Sequence, residues 1–396
     1  MSLEPAEPRA QARGLNITDQ LLELSAKGLR RTLRTIESTQ DAYVTMNGRR
    51  LCCMCSNNYL GLASHPEVIA AVKSAVERWG WGAGASRLVS GHMGPHAELE
   101  ARLAAFENTP AALVCSTGYQ ANLAAIRGLA GPDDILLLDK LNHASIIDAA
   151  RGSGAVLRVF PHRDYAKLER LLDRSAGYRR RIIITDSIFS MDGDFADLPR
   201  LADLKRRYDA LLIVDEAHAT GIFGRQGRGV AELMQVEEAI DVTVGTLSKA
   251  LGGIGGFIAA STEIIDLLVN VAGPFIYTTA LPPAACAAAL AALDLIEREP
   301  QRREKLLSLA NRLRAELGDR LGFDLGGSTS QIVPIIVGEA EAAVQLSRRL
   351  EEGGFLIPAI RPPTVPRGRS RLRISLSAGH DPADVDRLVA LLETFR

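Results

Sequence analysis

Leu211-Leu212-Ile213-Val214-Asp215-Glu216-Ala217-His218 decides the fold, read together with Val242-Thr243-Val244-Gly245-Thr246-Leu247-Ser248-Lys249. Each begins as a short apolar, β-branched run with no polar alternation, and each ends abruptly in residues able to do chemistry. A strand that is apolar on both sides belongs in a parallel sheet covered by helices. Similar runs lie at Ala112–Cys115, Ile135–Leu138, Val156–Phe160, Ile182–Thr185 and Phe257–Ala260. Amphipathic stretches such as Tyr165–Asp173 and Leu198–Tyr208 separate them at helical length. The alternation predicts a large α/β domain built on a mostly parallel sheet.

Outward from this centre the texture changes. After about residue 297 a charged helix is expected at Gln301–Leu321, then a strand at Gln331–Val337 and a helix at Glu339–Glu352. Strands at Phe355–Ile360 and Arg371–Ser377 and a helix at Asp381–Phe395 complete a smaller α+β domain. At the other end, Leu21, Leu22, Leu24, Leu29 and Leu33 mark a helical stripe within 17–36, behind a loose Pro- and Arg-containing start at 1–16. The expected organisation is an N-terminal helical segment (1–50), a large α/β domain (51–296) and a C-terminal α+β domain (297–396).

Composition narrows the function. Forty-six Lys plus Arg balance forty-seven Asp plus Glu, for a net charge of −1. A nucleic-acid partner is therefore not expected. The chain opens MSLEPAEPRAQARGL, with no apolar stretch behind a basic start, so no secretory signal is expected. The uncharged stretch between Asp266 and Asp294 is broken by Pro274, Pro282 and Pro283 and is rich in Ala, so it reads as a buried loop and then a buried helix rather than a membrane span. Five cysteines in 396 residues make no disulfide framework and point to the reducing cytoplasm. Cys52-Cys53-Met54-Cys55 contains a C-x-x-C, but no second pair completes a metal site, so it reads as strand packing and no metal is expected.

Ligands of open α/β sheets sit outside the carboxyl ends of the strands. Asp215 and His218 follow one strand, and Lys249 follows the next, between small and glycine neighbours that let a ligand approach. Asp-Glu-Ala-His also occurs in nucleotide-hydrolysing helicases, but the chain has no G-x-x-x-x-G-K-[ST] loop. Ser116-Thr117-Gly118-Tyr119 opens a helix with a glycine turn, a ready phosphate site. His143 follows a fourth strand, and Ser187 and Ser190 a fifth. A phosphate cradle, an aromatic ring, a hydroxyl, a carboxylate with a His and a lysine together are what pyridoxal phosphate needs. The lysine forms its imine, and the Asp holds the pyridine nitrogen protonated so that the ring accepts electrons.

Six stretches carry a resemblance. They are Ser56-Asn57-Asn58-Tyr59-Leu60-Gly61-Leu62, Gly84-Ala85-Ser86-Arg87-Leu88-Val89-Ser90-Gly91, Asn142-His143-Ala144-Ser145, Phe189-Ser190-Met191-Asp192-Gly193, Asp215-Glu216-Ala217-His218 and Thr246-Leu247-Ser248-Lys249. With them the chain resembles the α-oxoamine synthase family of fold-type I pyridoxal-phosphate enzymes from about residue 20 onward. The resemblance implies that Lys249 carries the cofactor and moves protons at the substrate Cα. It implies that Asp215 pairs with the ring nitrogen, that His143 stacks on the ring, and that His218 and Ser190 serve the ring hydroxyl. Gly118, Tyr119 and Thr246 are implied for the phosphate or its pocket. Family members are homodimers with sites at the interface, so Thr278 and Thr279 are expected at the partner's phosphate.

The implied reaction joins an amino acid to an acyl thioester, carried by coenzyme A or acyl carrier protein, with loss of carbon dioxide and the thiol. Asn57 and His143 are implied on the substrate side. Ala359–Pro366 and Ser86–Gly91 resemble the member that uses L-alanine and a pimeloyl thioester in biotin assembly. There Arg361, with Thr364 near it, would take the amino-acid carboxylate, and Arg31 the distal carboxylate of the acyl chain. Thr246–Gly253 instead resembles the member that uses glycine and acetyl-CoA, and long-chain acyl members share the same cofactor residues. Simple transamination, or cofactor binding without catalysis, are the more remote readings.

Overall fold

The structure is a computed structural model that describes residues 16–395; the expected loose start lies almost wholly outside them. Thirteen strands follow in chain order: β1 (Tyr43–Met46), β2 (Arg49–Cys53), β3 (Ala111–Cys115), β4 (Ile135–Asp139), β5 (Val156–Phe160), β6 (Arg181–Asp186), β7 (Leu211–Asp215), β8 (Val242–Thr246), β9 (Gly256–Ala260), β10 (Ile332–Gly338), β11 (Phe355–Leu356), β12 (Ala359–Ile360) and β13 (Ser370–Ser375). Seven of them form the central sheet in the order β3-β9-β8-β7-β6-β4-β5. Only β9 runs antiparallel to its neighbours.

Why these runs sit in the middle follows from which way alternate residues point. Along β4, Ile135 and Leu137 enter one apolar core while Leu136 and Leu138 enter a second on the opposite face. Leu212 and Val214 of β7 face the first core, and Ile213 the second. With helices on both faces, the strand ends are the one place where polar side chains reach solvent without crossing a core.

The C-terminal part holds a three-stranded sheet, β10-β13-β12, and β11 pairs instead with β2 beside β1. The single strand expected at 355–360 is thus two short ones in different sheets. Pro358, which has no N–H to give to a ladder, lies between them. The expected helix over 17–36 ends at Ala26, because the chain turns at Gly28 with φ +63°. The buried loop expected after Asp266 is helical: Ser261 caps Thr262–Val271 by accepting from the Ile264 N–H at 3.3 Å. Only one side of that segment is buried, through Ile265, Leu268 and Ala272, while Val271 and Tyr277 face outward. No helix among the described residues is long and apolar enough to cross a membrane.

Candidate active site

Parallel pairing of β6 with β7 sets Asp186 opposite Asp215, and both carboxylates end buried at the same edge. Asp215 Oδ2 accepts from Asn122 Nδ2 at 2.7 Å and Oδ1 from the Ala217 N–H at 2.8 Å. Its hydrogen-bonding partners are therefore neutral donors that fix its direction. Asp186 Oδ2 accepts from the His143 N–H at 2.8 Å. Burial, reinforced by the charge of Asp215, pushes the Asp186 carboxyl well above the usual carboxylate range.

His143 caps the helix Ala144–Arg151: its Nδ1 accepts from the Ser145 N–H at 3.3 Å and lies 2.7 Å from Ser145 Oγ. Asn122 Nδ2 also donates to Ser145 Oγ at 2.9 Å, which ties His143 to Asp215 through two side chains. Burial lowers the His143 imidazole below its usual value, opposed in part by Asp215. Lys249, in the turn after β8, is brought down to about 8, chiefly by burial, with Asp215 and Asp186 opposing through space.

Below this group, the Tyr59 hydroxyl meets His218 Nδ1 at 2.8 Å and donates to Asn57 Oδ1 at 3.0 Å. His218 is buried, which holds its imidazole well below the ordinary value. Sequence reasoning missed the residue that joins this network to Ser190, namely Arg373. The guanidinium, 7% exposed, donates to Ser190 O at 2.6 Å, Ser375 Oγ at 2.7 Å and the Tyr59 hydroxyl at 3.3 Å, and reaches Asn57 Oδ1 at 3.4 Å. Among the described residues no carboxylate pairs with it, whereas neighbouring Arg371 binds Asp192 at 2.7 Å. The signal was in the sequence: Arg371 and Arg373 alternate with Leu372 and Ile374, so one face of an otherwise apolar strand carries two guanidiniums.

The glycine turn is built as a cradle. Thr117 caps the helix Gly118–Leu129 by accepting from the Gln120 N–H at 3.0 Å, leaving the Gly118 and Tyr119 N–H groups ahead of the first intrahelical bond. A Cβ on Gly118 would stand 3.1 Å from Thr246 Oγ1, and one on Gly256 only 2.6 Å from Gly118. Thr246 Oγ1 is held by Gly255 O at 2.9 Å and Ser248 Oγ at 2.8 Å. The Tyr119 hydroxyl turns away to Asp148. Thr279 O accepts from Ser116 Oγ at 3.3 Å, so Thr278 and Thr279 lie beside their own chain's cradle.

A second group lies around Arg31, which donates to Thr364 Oγ1 at 3.3 Å, and Arg361, which donates to Gly28 O. They line a cavity of about 130 Å³ with Leu29, Ala359, Ile360 and Pro362. Arg34, further along the same basic segment, is paired with Glu351 at 2.6 Å. Elsewhere among the described residues one trio, His65, Glu67 and Glu299, is close enough to share an ion, but Arg298 and Arg302 already pair with its carboxylates.

Residues 50–392 match the profile of the class I and II aminotransferases. The chain belongs to that family. It is 50% identical over 378 residues to the 8-amino-7-oxononanoate synthase of Geobacter sulfurreducens, covering 95% of this chain and 97% of that one. Among solved structures, a serine palmitoyltransferase from S. paucimobilis with bound PLP-myriocin superimposes with TM-score 0.91 at 32% identity, covering 96% of each chain. The 8-amino-7-oxononanoate synthase of Francisella tularensis superimposes with TM-score 0.75 at 30% identity, covering 87% of this chain and 96% of that one. These relatives are α-oxoamine synthases, the branch that the six sequence stretches resemble.

Proposed function

We propose that the protein condenses L-alanine with a pimeloyl thioester, releasing carbon dioxide and the thiol and giving 8-amino-7-oxononanoate. The observation that carries this reading is the 50% identity, over 95% of the chain, to a synthase of that name, with Lys249, Asp215, His143 and His218 all present. The thioester carrier is coenzyme A or acyl carrier protein.

Pyridoxal phosphate fits the residues present. An amine at about 8 keeps a far larger neutral fraction near neutrality than an ordinary lysine, and that neutral form is the one that bonds an aldehyde. A buried carboxylate held by two neutral donors still seeks a cation such as a protonated ring nitrogen. Two free N–H groups at a helix start suit a phosphate. When bound, the cofactor supplies an electron sink for charge developing at the substrate Cα.

The chain's own residues do the rest in this proposal. Lys249 holds the cofactor and then takes and returns the proton at Cα. His143, steered by Ser145, closes one face of the ring, while His218 and Ser190 serve its hydroxyl side. Gly118, Tyr119 and Thr246 hold the phosphate. Arg373, buried and without a carboxylate partner among the described residues, is the better-suited group for the amino-acid carboxylate, because a fork of guanidinium donors matches it in two places. Arg361 was expected there, but it shares its small cavity with Arg31 and Thr364, a set suited to a carboxylate at the far end of the acyl chain. A homodimer is part of the proposal, with Thr278 and Thr279 reaching the partner's phosphate. Support comes from exposed Val89, Trp81 and Tyr277, the last 87% exposed and one residue before Thr278. Five free cysteines suit a cytoplasmic location.

The test is thiol release by the cofactor-loaded protein, crossing L-alanine, glycine and L-serine with pimeloyl-, acetyl- and palmitoyl-CoA. L-alanine with pimeloyl-CoA should dominate, and Lys249→Ala should lose at least the ~10²–10⁴-fold that a positioned proton-transfer group contributes. Dominance of glycine with acetyl-CoA, or of L-serine with palmitoyl-CoA, would overturn the substrate assignment.

A further inference from the structure

The Cys52–Cys55 run has no part in the site above, yet its geometry is specific. β2 ends at Cys53, and the turn after it brings Cys55 Sγ to 3.8 Å from Cys53 Sγ. Cys53 is 2% exposed and clamped: its N–H donates to Ala42 O at 2.8 Å and it pairs with Leu356 of β11. Cys55 is partly exposed and begins the turn that carries Ser56, Asn57 and Tyr59. Among the described residues no third Cys, His or carboxylate stands close enough to make a metal site of the pair. The Cys55 S–H and the N–H groups of Cys55 and Ser56 are aimed at Cys53, which brings its thiol down to about 7. The other three cysteines, Cys52, Cys115 and Cys286, are buried, and burial pushes each up to about 12. Cys55 is likewise held well above the usual thiol range, by its hydrogen bond to Cys53 and by burial, so Cys53 is the sulfur poised as a thiolate and Cys55 the thiol that stands against it.

We infer that Cys53 and Cys55 are an oxidation site, a dithiol that peroxide closes to an intrachain disulfide, and that closure loosens the hold of Asn57 on Arg373. The Cys53 thiolate attacks one oxygen of hydrogen peroxide, the O–O bond breaks, and hydroxide leaves, giving a sulfenic acid. Cys55 sulfur attacks the Cys53 sulfur, the S–O bond breaks, and the departing hydroxide takes the Cys55 proton as water. Two thiol sulfurs are oxidised and one peroxide is reduced. Bringing the sulfurs from 3.8 Å to the ~2.05 Å of a disulfide requires movement. Cys53 is fixed in the ladder with β11 and by its bond to Ala42 O, so the turn at Cys55 moves and takes with it Asn57, two residues on. The consequence for catalysis rests on the function proposed above; the oxidation itself does not.

The experiment treats the full-length, cofactor-loaded protein with hydrogen peroxide and follows masses, free thiols and the spectral response to L-alanine. The native protein should lose two hydrogens, confined to the peptide holding Cys53 and Cys55 and restored by dithiothreitol. Cys55→Ser should stop at a sulfenic acid that dimedone traps on Cys53, and Cys53→Ser should leave all its thiols free. Half-saturation by L-alanine should rise several-fold on oxidation. Five free thiols after treatment, or oxidation of Cys53→Ser as fast as of the native protein, would overturn the site. A disulfide that leaves the L-alanine response unchanged would overturn its link to Asn57. A reduced protein silent to every amino acid would count against the proposed function, and the thiol count would still decide the dithiol.

Discussion

The lowered basicity of the Lys249 amine is the feature on which the proposed chemistry most depends, and it can be measured without substrate. Its pKa falls from 10.5 to about 8 because burial disfavours the ammonium. At pH 7 a group at 8 is about one-tenth neutral, against about 3 parts in 10,000 for one at 10.5, so burial makes the reactive form roughly 300-fold more abundant. Competitive acetylation of the cofactor-free protein, with the Lys249 peptide quantified by mass spectrometry against exposed Lys73, reads the midpoint directly. It should fall near 8 in the folded protein and near ~10.4 in urea. The neighbours give the signs. Asp215→Asn removes a negative charge that favours the ammonium, so the midpoint should drop further. Arg373→Gln removes a positive charge that disfavours it, so the midpoint should rise. A folded midpoint near that of the unfolded chain, or one that neither variant moves, would refute the reasoning. The same shift implies that the folded protein binds fewer protons than the unfolded chain between about pH 8 and 10.5, so Lys249 makes stability rise with pH across that window.

His162 has the opposite sign. It bridges Asp139 at 3.0 Å and Asp194 at 2.8 Å, and despite burial these carboxylates raise it from 6.5 to about 9. Its contribution should be complete below about pH 6.5 and lost as pH rises through 9, so urea midpoints of the native protein and His162→Gln should converge over that range. Glu100→Gln should destabilise by about 3 kcal/mol in urea unfolding, near the lower end of what breaking a buried pair costs. It removes the counter-charge from Arg87, 8% exposed, which the Glu100 carboxylate meets with both oxygens at 2.8 Å. A change under about 1 kcal/mol would mean that the site relaxes around the lone guanidinium. Arg373→Lys should raise the KM for the amino acid roughly 10- to 100-fold, the value of a hydrogen bond to a charged group, and leave that of the thioester unmoved. Unchanged amino-acid KM would return the carboxylate to Arg361.

What the sequence made legible, and what it did not, divides along one physical line. The strands of the central sheet were readable because all but the edge strand β5 are largely buried on both faces, where runs of apolar residues fit, and the residue after the last apolar one is where polar groups can emerge. Asp215, His143 and Lys249, which the structure gathers at one edge of the sheet, could therefore be singled out as candidates by position. Arg373 was not, because it lies inside a strand of the smaller sheet, where a charged residue ordinarily faces solvent; its alternation with Leu372 and Ile374 marks one polar face, and the contacts to Ser190, Ser375 and Tyr59 show that this face points inward. The dithiol escaped for a related reason. Spacing draws attention to the C-x-x-C pair Cys52 and Cys55, but the sulfurs that meet belong to Cys53 and Cys55, and the turn that joins them is set by Ala42, Leu356 and Ser375 from distant parts of the chain. The two N-terminal arginines divide along the same line. Arg31 and Arg34 share one short basic segment, and only its course after Gly28 sends one to Thr364 and the other to Glu351. Local burial writes itself into sequence as pattern, while a contact made across elements depends on where two patterns are brought together.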